Sequence, residues 1–449
     1  MNSIPVELLL RVGAAMLCAM VVSYFMCPLV KSFAYKIGAI DVPKDNRRMH
    51  KKPVPRLGGL AIFLGFITSL LIFVPVEDQL RGILLGAVII VVLGVVDDMT
   101  PLRASFKFCV QIAAALVAVY HGVVIKVLSN PNVFSGDLYW SMGKLSIPVT
   151  VLWIVGITNS VNLIDGLDGL ANGVSTISAL TMLVIALMVS EGQVALIMAA
   201  LVGACVGFMP YNKNPAKMFM GDTGSTFLGY MLATISIQGL FKYYAVISFA
   251  VPFLILGLPM FDTLFAIIRR LAHGQNPMSP DRGHIHHRLI DMGLNQKQAV
   301  AALYVVSSIL GLSAVVLTTR GAMRAMLFLV AVVVVAYLTA RVIFPREIEE
   351  ARRALSQEDK SDGETKPVVV DHDIDLHPAV DAEKAALRAD NGSGEGSAPR
   401  PKEAKQEVSP RSLTEVQKAA GRVRKRLRPE HKIDIHPAVD AEKTRKERE

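Results

Sequence analysis

The stretch LRGILLGAVIIVVLGVVDD, residues 80–98, decides what kind of protein this chain is. Its first seventeen residues contain one charge, Arg81, and are long and apolar enough to cross the hydrocarbon layer of a membrane as a helix. Two adjacent acids, Asp97 and Asp98, then end the run. A carboxylate at a membrane is costly unless it has a partner or a function. The stretch therefore predicts a transmembrane helix with a polar site at its end.

Similar apolar runs recur throughout the first 345 residues, whereas charged residues concentrate at the end of the chain. Of the 47 Lys and Arg and the 38 Asp and Glu, 22 and 23 lie in the last 104 residues. The runs predict eleven transmembrane helices, and with them an all-α, polytopic integral membrane protein. The eleven runs lie at about 6–28, 57–76, 80–96, 106–125, 146–163, 169–189, 193–210, 224–240, 244–268, 298–318 and 323–344.

We expect two domains, a membrane domain at residues 1–345 and a tail at 346–449. The tail is rich in Lys, Glu, Pro and Ser and poor in aromatic residues, so it cannot bury enough apolar surface to offset its chain entropy. A largely disordered tail is predicted. It repeats one motif, IDLHPAVDAEK at 374–384 and IDIHPAVDAEK at 433–443, which a docking element and a duplication without function explain equally well.

The distribution of basic residues predicts the orientation in the membrane. Loops on one side of the predicted helices carry seventeen Lys and Arg, and loops on the other side carry six. By the positive-inside rule the first side is cytoplasmic, which places the N-terminus outside and the tail inside. The same rule explains the net charge of +9 better than nucleic-acid binding does. The polar clusters of the chain all fall on the cytoplasmic side, so a site is expected there.

The second polar cluster is NSVNLIDGLDGLANG at 159–173. Asp165 and Asp168 are three residues apart, so on a helix they would share one face, and the glycines after them permit a close approach of backbone or ligand. Asn162 and Asn172 add donors and acceptors suited to a nucleobase, a ribose or an amide. The alternative interpretation is that Asp168 only caps the following helix.

Two more clusters complete the pattern. In FMGDTGST, 219–226, an acid lies at the start of a predicted helix, where the N-terminus favours an anion and the acid favours a hard divalent cation. In NPMSPDRGHIHHR, 276–288, the imidazoles and guanidinium groups are better explained as phosphate donors than as a zinc site, because the acids elsewhere favour magnesium or manganese. The alternatives are a helix cap with nothing bound and a basic loop that only sets the topology. For Asp97 and Asp98 the alternative is a helix end that reaches the water.

Oxygen ligands for a hard cation, cationic donors for phosphate and a position at a membrane surface occur together in this chain. The reaction that needs all three is the transfer of a phosphoryl group between a soluble nucleotide and a lipid. A lipid acceptor explains why such an enzyme is embedded in a bilayer.

Five motifs in order resemble those of the polyprenyl-phosphate N-acetylhexosamine-1-phosphate transferases, over about residues 30–300. Members of that family move a sugar 1-phosphate from a UDP-sugar to undecaprenyl phosphate, release UMP and use magnesium or manganese. The resemblance therefore implies an enzyme with a Mg²⁺ cofactor, or Mn²⁺ in its place, in a bacterial inner membrane with its active site facing the cytoplasm. The motifs are RLGG at 56–59, Asp97-Asp98, NLIDGLDG at 162–169, MGDTGS at 220–225 and HIHH at 284–287.

The resemblance also implies a role for each residue of the site. Asp97 and Asp98 would be catalytic, with Asp98 at the position proposed to activate the lipid phosphate. Asp222 would bind the metal together with Asp97. The nucleotide would contact Asn162, Asp165, Asp168 and Asn212. The sugar diphosphate would contact Lys52, Arg282, His284, His286 and His287.

The loop SPDRGHIHH, 279–287, resembles the branch that uses UDP-N-acetylglucosamine and starts surface polymers such as the O-antigen of lipopolysaccharide, teichoic acid or arabinogalactan. Two alternatives keep the reaction and change the donor to another UDP-N-acetylhexosamine or to the UDP-MurNAc-pentapeptide of peptidoglycan synthesis. The expected partners are the UDP-sugar, undecaprenyl phosphate and the lipid bilayer, without nucleic acid. A homodimer and the partner of the tail are left open.

Two alternatives from other classes also place acids in transmembrane helices. An ion-coupled membrane transporter would carry them near the midplane on broken helices, and an intramembrane aspartyl protease needs two of them in mid-span. Here most acids lie at predicted cytoplasmic helix ends. Asp262, deeper in the ninth predicted helix, is the exception, and the sequence assigns it no role.

Overall fold

The computed structural model describes residues 5–42, 53–129, 139–240, 250–272, 274, 284–320 and 330. These residues form a bundle of α-helices with two short antiparallel hairpins. The strands are β1 (Ile40–Asp41) paired with β2 (Val54–Pro55), and β3 (Val127–Ser129) paired with β4 (Tyr139–Ser141). The helices are α1 (Val6–Ile37), α2 (Gly58–Phe73), α3 (Asp78–Met99), α4 (Ala104–Tyr120), α5 (Ser146–Leu163), α6 (Leu170–Met188), α7 (Gly192–Asn212), α8 (Gly221–Ile235), α9 (Ala250–Ile255), α10 (Gly257–Ala272), α11 (Ile285–Asp291) and α12 (Gln296–Arg320).

Six of the described helices are long and apolar enough to cross a membrane, and α2 and α4 are shorter apolar helices. Their outward faces carry large apolar side chains, for example Phe25 at 63% and Leu152 at 72% exposure. An apolar surface of this kind matches a lipid environment, in which every backbone polar group must be satisfied inside the protein. The predicted all-α, polytopic membrane protein is confirmed. The count of eleven helices and the orientation stay predictions.

Each of the first ten predicted runs overlaps a described helix, and the first and the ninth differ most in extent. The first helix continues through Pro28 as far as Ile37. The ninth run, 244–268, contains two helices, α9 and α10. Pro259 has no N–H to donate to the carbonyl group four residues before it, and its ring clashes with that group, so one continuous helix is interrupted. The eleventh run, apart from residue 330, and the tail lie outside the described residues, so the division into two domains stays a prediction.

Helix α8 is the centre of the bundle. It packs against α2, α3 and α5. Every residue from Gly221 to Ile235 except Asp222 is buried, as expected for a helix surrounded by other helices. A second group of helices forms around α7, which packs against α1, α2 and α6, while α12 packs against α6 and α9. The N-terminus of α8 therefore lies inside the protein, where its first N–H groups need partners.

Small residues allow the helices to approach closely. A methyl group on Gly59 of α2 would overlap the backbone of Thr223 and Gly224 in α8. Gly203 on α7 likewise lies against the carbonyl group of Met16 on α1. Close backbone approach through small residues is the usual way in which membrane helices pack. The packing of α2 on α8 thus depends on residue 59 having no side chain.

We predict that Gly59→Ala loosens the packing of α2 on α8, because the added methyl group meets backbone atoms that cannot move aside. Overpacking of this kind costs about 1–3 kcal/mol of unfolding free energy, occasionally more. The control is Gly156→Ala in α5, where the methyl group meets nothing within 4 Å and should be neutral or stabilising. Thermal unfolding of both purified variants in detergent measures the difference. Equal unfolding temperatures for Gly59→Ala and the wild type would contradict the prediction.

Candidate active site

The ends of α3, α4 and α8 meet around one ammonium group. Lys107, near the start of α4, donates to Asp97 Oδ2 at 3.0 Å and to Asp222 Oδ2 at 2.8 Å. Asp97 lies at the end of α3, and Asp222 lies in the first turn of α8. We call these three residues the acid–lysine cluster. Because Asp97 and Asp98 are both buried, and Asp97 is paired with Lys107, the interpretation that these two acids simply reach the water is wrong.

Asp98 binds the N-terminus of α8. Its Oδ1 accepts a hydrogen bond from Asp222 N at 3.0 Å. Its Oδ2 accepts hydrogen bonds from Thr223 N at 3.0 Å and from Thr223 Oγ1 at 2.7 Å. The guanidinium of Arg56 adds an ion pair, with Nε 3.7 Å from Oδ1. Helix α8 has no side-chain cap at its own N-cap residue, so the neighbouring helix α3 supplies one, and this cap fixes where Asp222 lies relative to Asp97.

The glycine motif at 56–59 pairs with the segment before α8 through the main chain. Gly58 N donates to Phe219 O at 2.9 Å, and the next N–H donates to the next carbonyl group at the same distance. Gly221 follows with a φ of +71°, in the left-handed region that favours glycine. A methyl group there would also collide with the carboxylate of Asp98. Glycine at 221 is therefore required by both backbone conformation and space.

Asn162, in the last turn of α5, joins the third motif to the acids. Its Nδ2 donates to Ser225 Oγ at 2.8 Å, about one turn after Asp222 in α8. About one turn earlier, Asn159 forms a reciprocal amide pair with Gln111 of α4, with distances of 2.6 and 3.4 Å. These contacts tie α5 to α4 and α8 beside the acid–lysine cluster.

Asp165 and Asp168 do not share a helical face, because they lie in a turn between α5 and α6. The prediction of a shared face was wrong, because α5 ends at Leu163 and α6 begins only at Leu170, after Gly169 with its left-handed φ of +80°. Asp168 Oδ2 accepts hydrogen bonds from Asn214 Nδ2 at 2.9 Å and from Ala216 N at 3.0 Å. Asp168 therefore holds the loop between α7 and α8, and it does not cap α6. Its contact with a nucleotide stays a prediction.

Asp165 lies close to the acids of α3 and α8. The residue is half-buried in the turn between α5 and α6. Burial raises the pKa of Asp165 to about 8, and the negative charges of Asp222 and Asp98 add to the rise. At pH 7 the carboxyl group is therefore mostly protonated. It can donate a hydrogen bond to an acceptor such as a carbonyl group of a nucleobase.

Asn212 ends α7 and is enclosed by the protein. Its Nδ2 donates to Met218 O at 3.2 Å, whereas its Oδ1 is buried without a hydrogen-bond partner in the described part of the chain. Asn172 is similar, since its Nδ2 donates to Cys205 O at 3.2 Å and its Oδ1 has no such partner either. The predicted contact of Asn212 with the nucleotide stays a prediction.

The histidine motif lies beside the turn that carries Asp165. The ring centroids of His284 and His286 are 5.8 Å apart in a stacked pair, and those of His286 and His287 are 4.3 Å apart. A methyl group at Gly166 would overlap the ring of His286, so the two segments are in direct contact. Asp262 Oδ2 lies 2.9 Å from His284 Nδ1. The structure thus brings the fifth motif against the third.

The burial of His286 determines its charge. Burial lowers the pKa of His286 to about 4, and the neighbouring His287 adds to the decrease. His286 is therefore neutral at pH 7, so it can donate one hydrogen bond to a phosphate but adds no positive charge. Two cationic groups that were predicted to contact the diphosphate, Lys52 and Arg282, lie outside the described residues.

The acid–lysine cluster fits a hard divalent cation. Its two carboxylates supply oxygen donors, and the ammonium group of Lys107 lies where both acids attract positive charge. Within the described ranges, no three His, Cys, Asp or Glu side chains are arranged to hold a metal. Mg²⁺ does not need such a set, because it is usually bound by one or two carboxylates together with substrate phosphates and water. Asp97 and Asp222 thus fit the role of protein ligands.

Lys107 and Thr223 belong to the site although the sequence analysis assigned neither a role in it. A signal for Lys107 existed, because a cation in the first turn of a helix opposes the helix dipole unless an acid compensates for it. No local signal existed for Thr223, since its partner Asp98 lies in another helix, far away in the sequence.

We predict that Asp98→Asn lowers the free energy of unfolding by about 1–3 kcal/mol, because an amide cannot accept all three hydrogen bonds from the start of α8. Thr223→Val removes one of the three and should cost less, and Thr223→Ser keeps all three. Unfolding of the purified variants in detergent measures this order. An Asp98→Asn protein as stable as the wild type would show that this acid does not serve to cap α8.

The raised pKa of Asp165 predicts how stability changes with pH. The folded protein keeps this proton up to about pH 8, whereas the unfolded chain releases it at about pH 4. Stability falls as the pH rises through this window, since the folded state binds more protons there. Asp165→Asn should flatten the decrease when unfolding temperatures of variant and wild type are compared from pH 4 to 8 in EDTA. Parallel curves would contradict the assignment.

The chain is similar to known proteins over most of the described region. Residues 80–240 match the family model described as Glycosyl transferase family 4, and this range contains the acid–lysine cluster. A probable undecaprenyl-phosphate N-acetylglucosaminyl 1-phosphate transferase of Bacillus subtilis (strain 168) is 43% identical over 314 residues, which cover 69% of this chain and 86% of the relative.

Two further relatives show a similar extent of similarity. A decaprenyl-phosphate N-acetylglucosaminephosphotransferase of Mycolicibacterium smegmatis is 34% identical over 339 residues, covering 69% of this chain and 82% of the relative. An undecaprenyl-phosphate alpha-N-acetylglucosaminyl 1-phosphate transferase of Thermotoga maritima is 33% identical over 268 residues, covering 60% and 78%. The chain therefore belongs to glycosyl transferase family 4, the polyprenyl-phosphate N-acetylhexosamine-1-phosphate transferases.

Proposed function

We propose that this protein transfers N-acetylglucosamine 1-phosphate from UDP-N-acetylglucosamine to undecaprenyl phosphate and releases UMP. An oxygen of the lipid phosphate attacks the phosphorus that carries the sugar, a new P–O bond forms, and the bond to UMP breaks. The names of the relatives from Bacillus subtilis and Thermotoga maritima support this sugar and this acceptor. The product is the lipid-linked sugar that starts a cell-surface polysaccharide.

The acid–lysine cluster is the main structural support for the proposal. Asp97 and Asp222 come from different helices and approach the same cationic group to within 3.0 Å. Mg²⁺ or Mn²⁺ held by these two carboxylates would neutralise the charge of the diphosphate. Lys107 keeps a positive charge beside the acids and can donate to a phosphate oxygen. Transfer of a phosphoryl group needs this combination of charge neutralisation and positioning more than it needs covalent help.

Asp98 contributes by holding the start of α8. Both of its oxygens already accept hydrogen bonds, and its side chain has no exposed surface. To accept a proton from the lipid phosphate, as the family resemblance implies, its enclosed carboxylate would have to become accessible to the lipid. We therefore assign Asp98 first to the placement of Asp222, and this role is compatible with a second one during the reaction.

The remaining residues are assigned by what surrounds them. Asp165, protonated at pH 7, donates to an acceptor on the uridine, with Asn162 nearby on α5. His286 lies against the Asp165 turn with His284 stacked beside it, and we assign this pair to the diphosphate and the sugar. The nucleotide end and the sugar end of the donor are thus held by two segments that touch each other.

The orientation follows from the charge of the loops and from the donor. The side that is richer in Lys and Arg contains the acids and the histidines, and a UDP-sugar is a soluble cytoplasmic molecule. We therefore propose a multi-pass protein of a bacterial inner membrane with its active site at the cytoplasmic face. The acceptor reaches the site from the surrounding lipid.

The test is incubation of the purified protein in detergent with undecaprenyl phosphate, labelled UDP-N-acetylglucosamine and Mg²⁺. We expect lipid-linked product and an equal amount of UMP, a loss of both in EDTA, and recovery with Mn²⁺. Asp97→Asn and Asp222→Asn should each lower the rate by about 10²–10³-fold, the usual cost of removing one group that stabilises transition-state charge. Asp78→Asn, at the opposite end of α3 beside Arg81, is the matched control and should leave the rate unchanged.

Two outcomes would count against the proposal. The absence of both UMP and lipid product would overturn the reaction itself. Stronger competition by unlabelled UDP-MurNAc-pentapeptide or by another UDP-N-acetylhexosamine would keep the reaction and change the donor.

A further inference from the structure

Asp262 is a buried acid that the proposed reaction does not use. It lies in α10 with 2% of its surface exposed. Together with Ile164, Leu258 and Leu303 it lines a small, mostly apolar cavity. A carboxylate in such surroundings is costly unless its oxygens are paired. The partners of Asp262 therefore indicate why an acid is kept there.

Both oxygens of Asp262 bind the start of the histidine motif. Oδ2 lies 2.9 Å from His284 Nδ1, and Oδ1 accepts a hydrogen bond from Ile285 N at 2.7 Å. Ile285 is the first residue of α11, whose own N-cap residue provides no side-chain cap. One carboxylate thus fixes an imidazole ring and caps the helix that follows it.

The chemistry of this contact determines where His284 carries its proton. An ionised carboxylate only accepts hydrogen bonds, so the nitrogen that faces it, Nδ1, must be the donor. The other ring nitrogen, Nε2, then faces the ligand, and it donates to a phosphate oxygen when the ring carries a second proton, with the carboxylate of Asp262 balancing the charge of the imidazolium. Carboxylates orient functional imidazoles in this way in many metal and catalytic sites, where they fix the tautomer and the direction of the ring.

The orientation of His284 affects the position of its neighbour His286. Its ring is nearly parallel to that of His286, with an interplanar angle of 9° and centroids 5.8 Å apart. His286 in turn contacts Gly166, the residue after Asp165. A rotated His284 would no longer support His286 in this position. Loss of Asp262 should therefore also disturb the turn at Asp165, which is assigned to nucleotide binding.

We propose that Asp262 is a positioning residue that holds His284 and His286 in the orientation needed to bind the diphosphate of the donor. It acts through His284 and does not touch the donor itself. The identity of the ligand rests on the proposed function, whereas the tautomer of His284 does not.

The first experiment compares ligands that differ by one phosphate. Asp262→Asn retains the shape of the side chain but cannot accept both hydrogen bonds. We expect the KM for UDP-N-acetylglucosamine to rise about 10-fold or more, the usual loss when an orienting partner is removed, with an unchanged KM for undecaprenyl phosphate. The affinity for UDP, measured by calorimetry, should fall by a similar factor, and the affinity for UMP should not change.

The controls separate positioning from folding. Asp262→Glu keeps the charge and both acceptors, so it should recover part of the affinity for UDP. Asp78→Asn should behave as the wild type in every assay. If Asp262 served the fold alone, Asp262→Asn would unfold at a lower temperature and lose kcat, with the KM for the donor and the affinities for UDP and UMP unaltered. That result would overturn the inference.

The second experiment needs no substrate. In protein labelled with ¹⁵N-histidine, the NMR signals of His284 are identified by their loss in His284→Gln. We expect the proton on Nδ1 in the wild type and a shift towards the Nε2–H tautomer in Asp262→Asn. Unchanged signals would overturn the inference whatever the activity. If the signals shift but the wild type releases no UMP from any UDP-sugar, the proposed function fails and the role of Asp262 in orienting His284 stands.

Discussion

The N-terminus of α8 has to be satisfied inside the protein, and the hydrogen bonds that satisfy it determine the site. The first N–H groups of a helix have no partner within the helix, and lipid offers none. Asp98 accepts from two of them and from the hydroxyl group of Thr223. Because Asp222 is part of the same turn, it must then lie beside Asp97, the neighbour of Asp98 in α3. Of these two adjacent acids, Asp98 therefore caps α8, and Asp97 binds the ammonium group of Lys107.

The same arrangement occurs a second time, at α11. Asp262 on α10 binds the first N–H of α11 and at the same time the imidazole of His284. In both places an aspartate from one helix caps the start of another, and the capped turn carries a residue of the site. Folding and function use the same hydrogen bonds here. A substitution at either acid therefore alters stability and activity together, which is why each needs a readout that separates the two.

The helices were predictable from the sequence, whereas several features that depend on contacts between distant segments were not. Apolar runs as long as 80–96 have few alternatives to a membrane helix, and the acids that end them marked the site. The strands β1 to β4 are two or three residues long, too short for an alternating pattern to be visible. Asp165 and Asp168 were placed on a helix because their spacing allowed it, but α5 ends before them, and Asp168 binds Asn214 and Ala216, which lie far away in the sequence.

The link between Asp262 and the histidine motif matters for anyone who exchanges segments between relatives to change the sugar that is accepted. A graft of residues 276–288 alone would bring the histidines into the recipient without Asp262, which lies outside the grafted segment on α10. The imported ring would also meet a foreign residue where His286 now lies against Gly166. A chimera that keeps these partners together has to start before α10 and end after α11, and it needs a glycine at position 166 in the recipient.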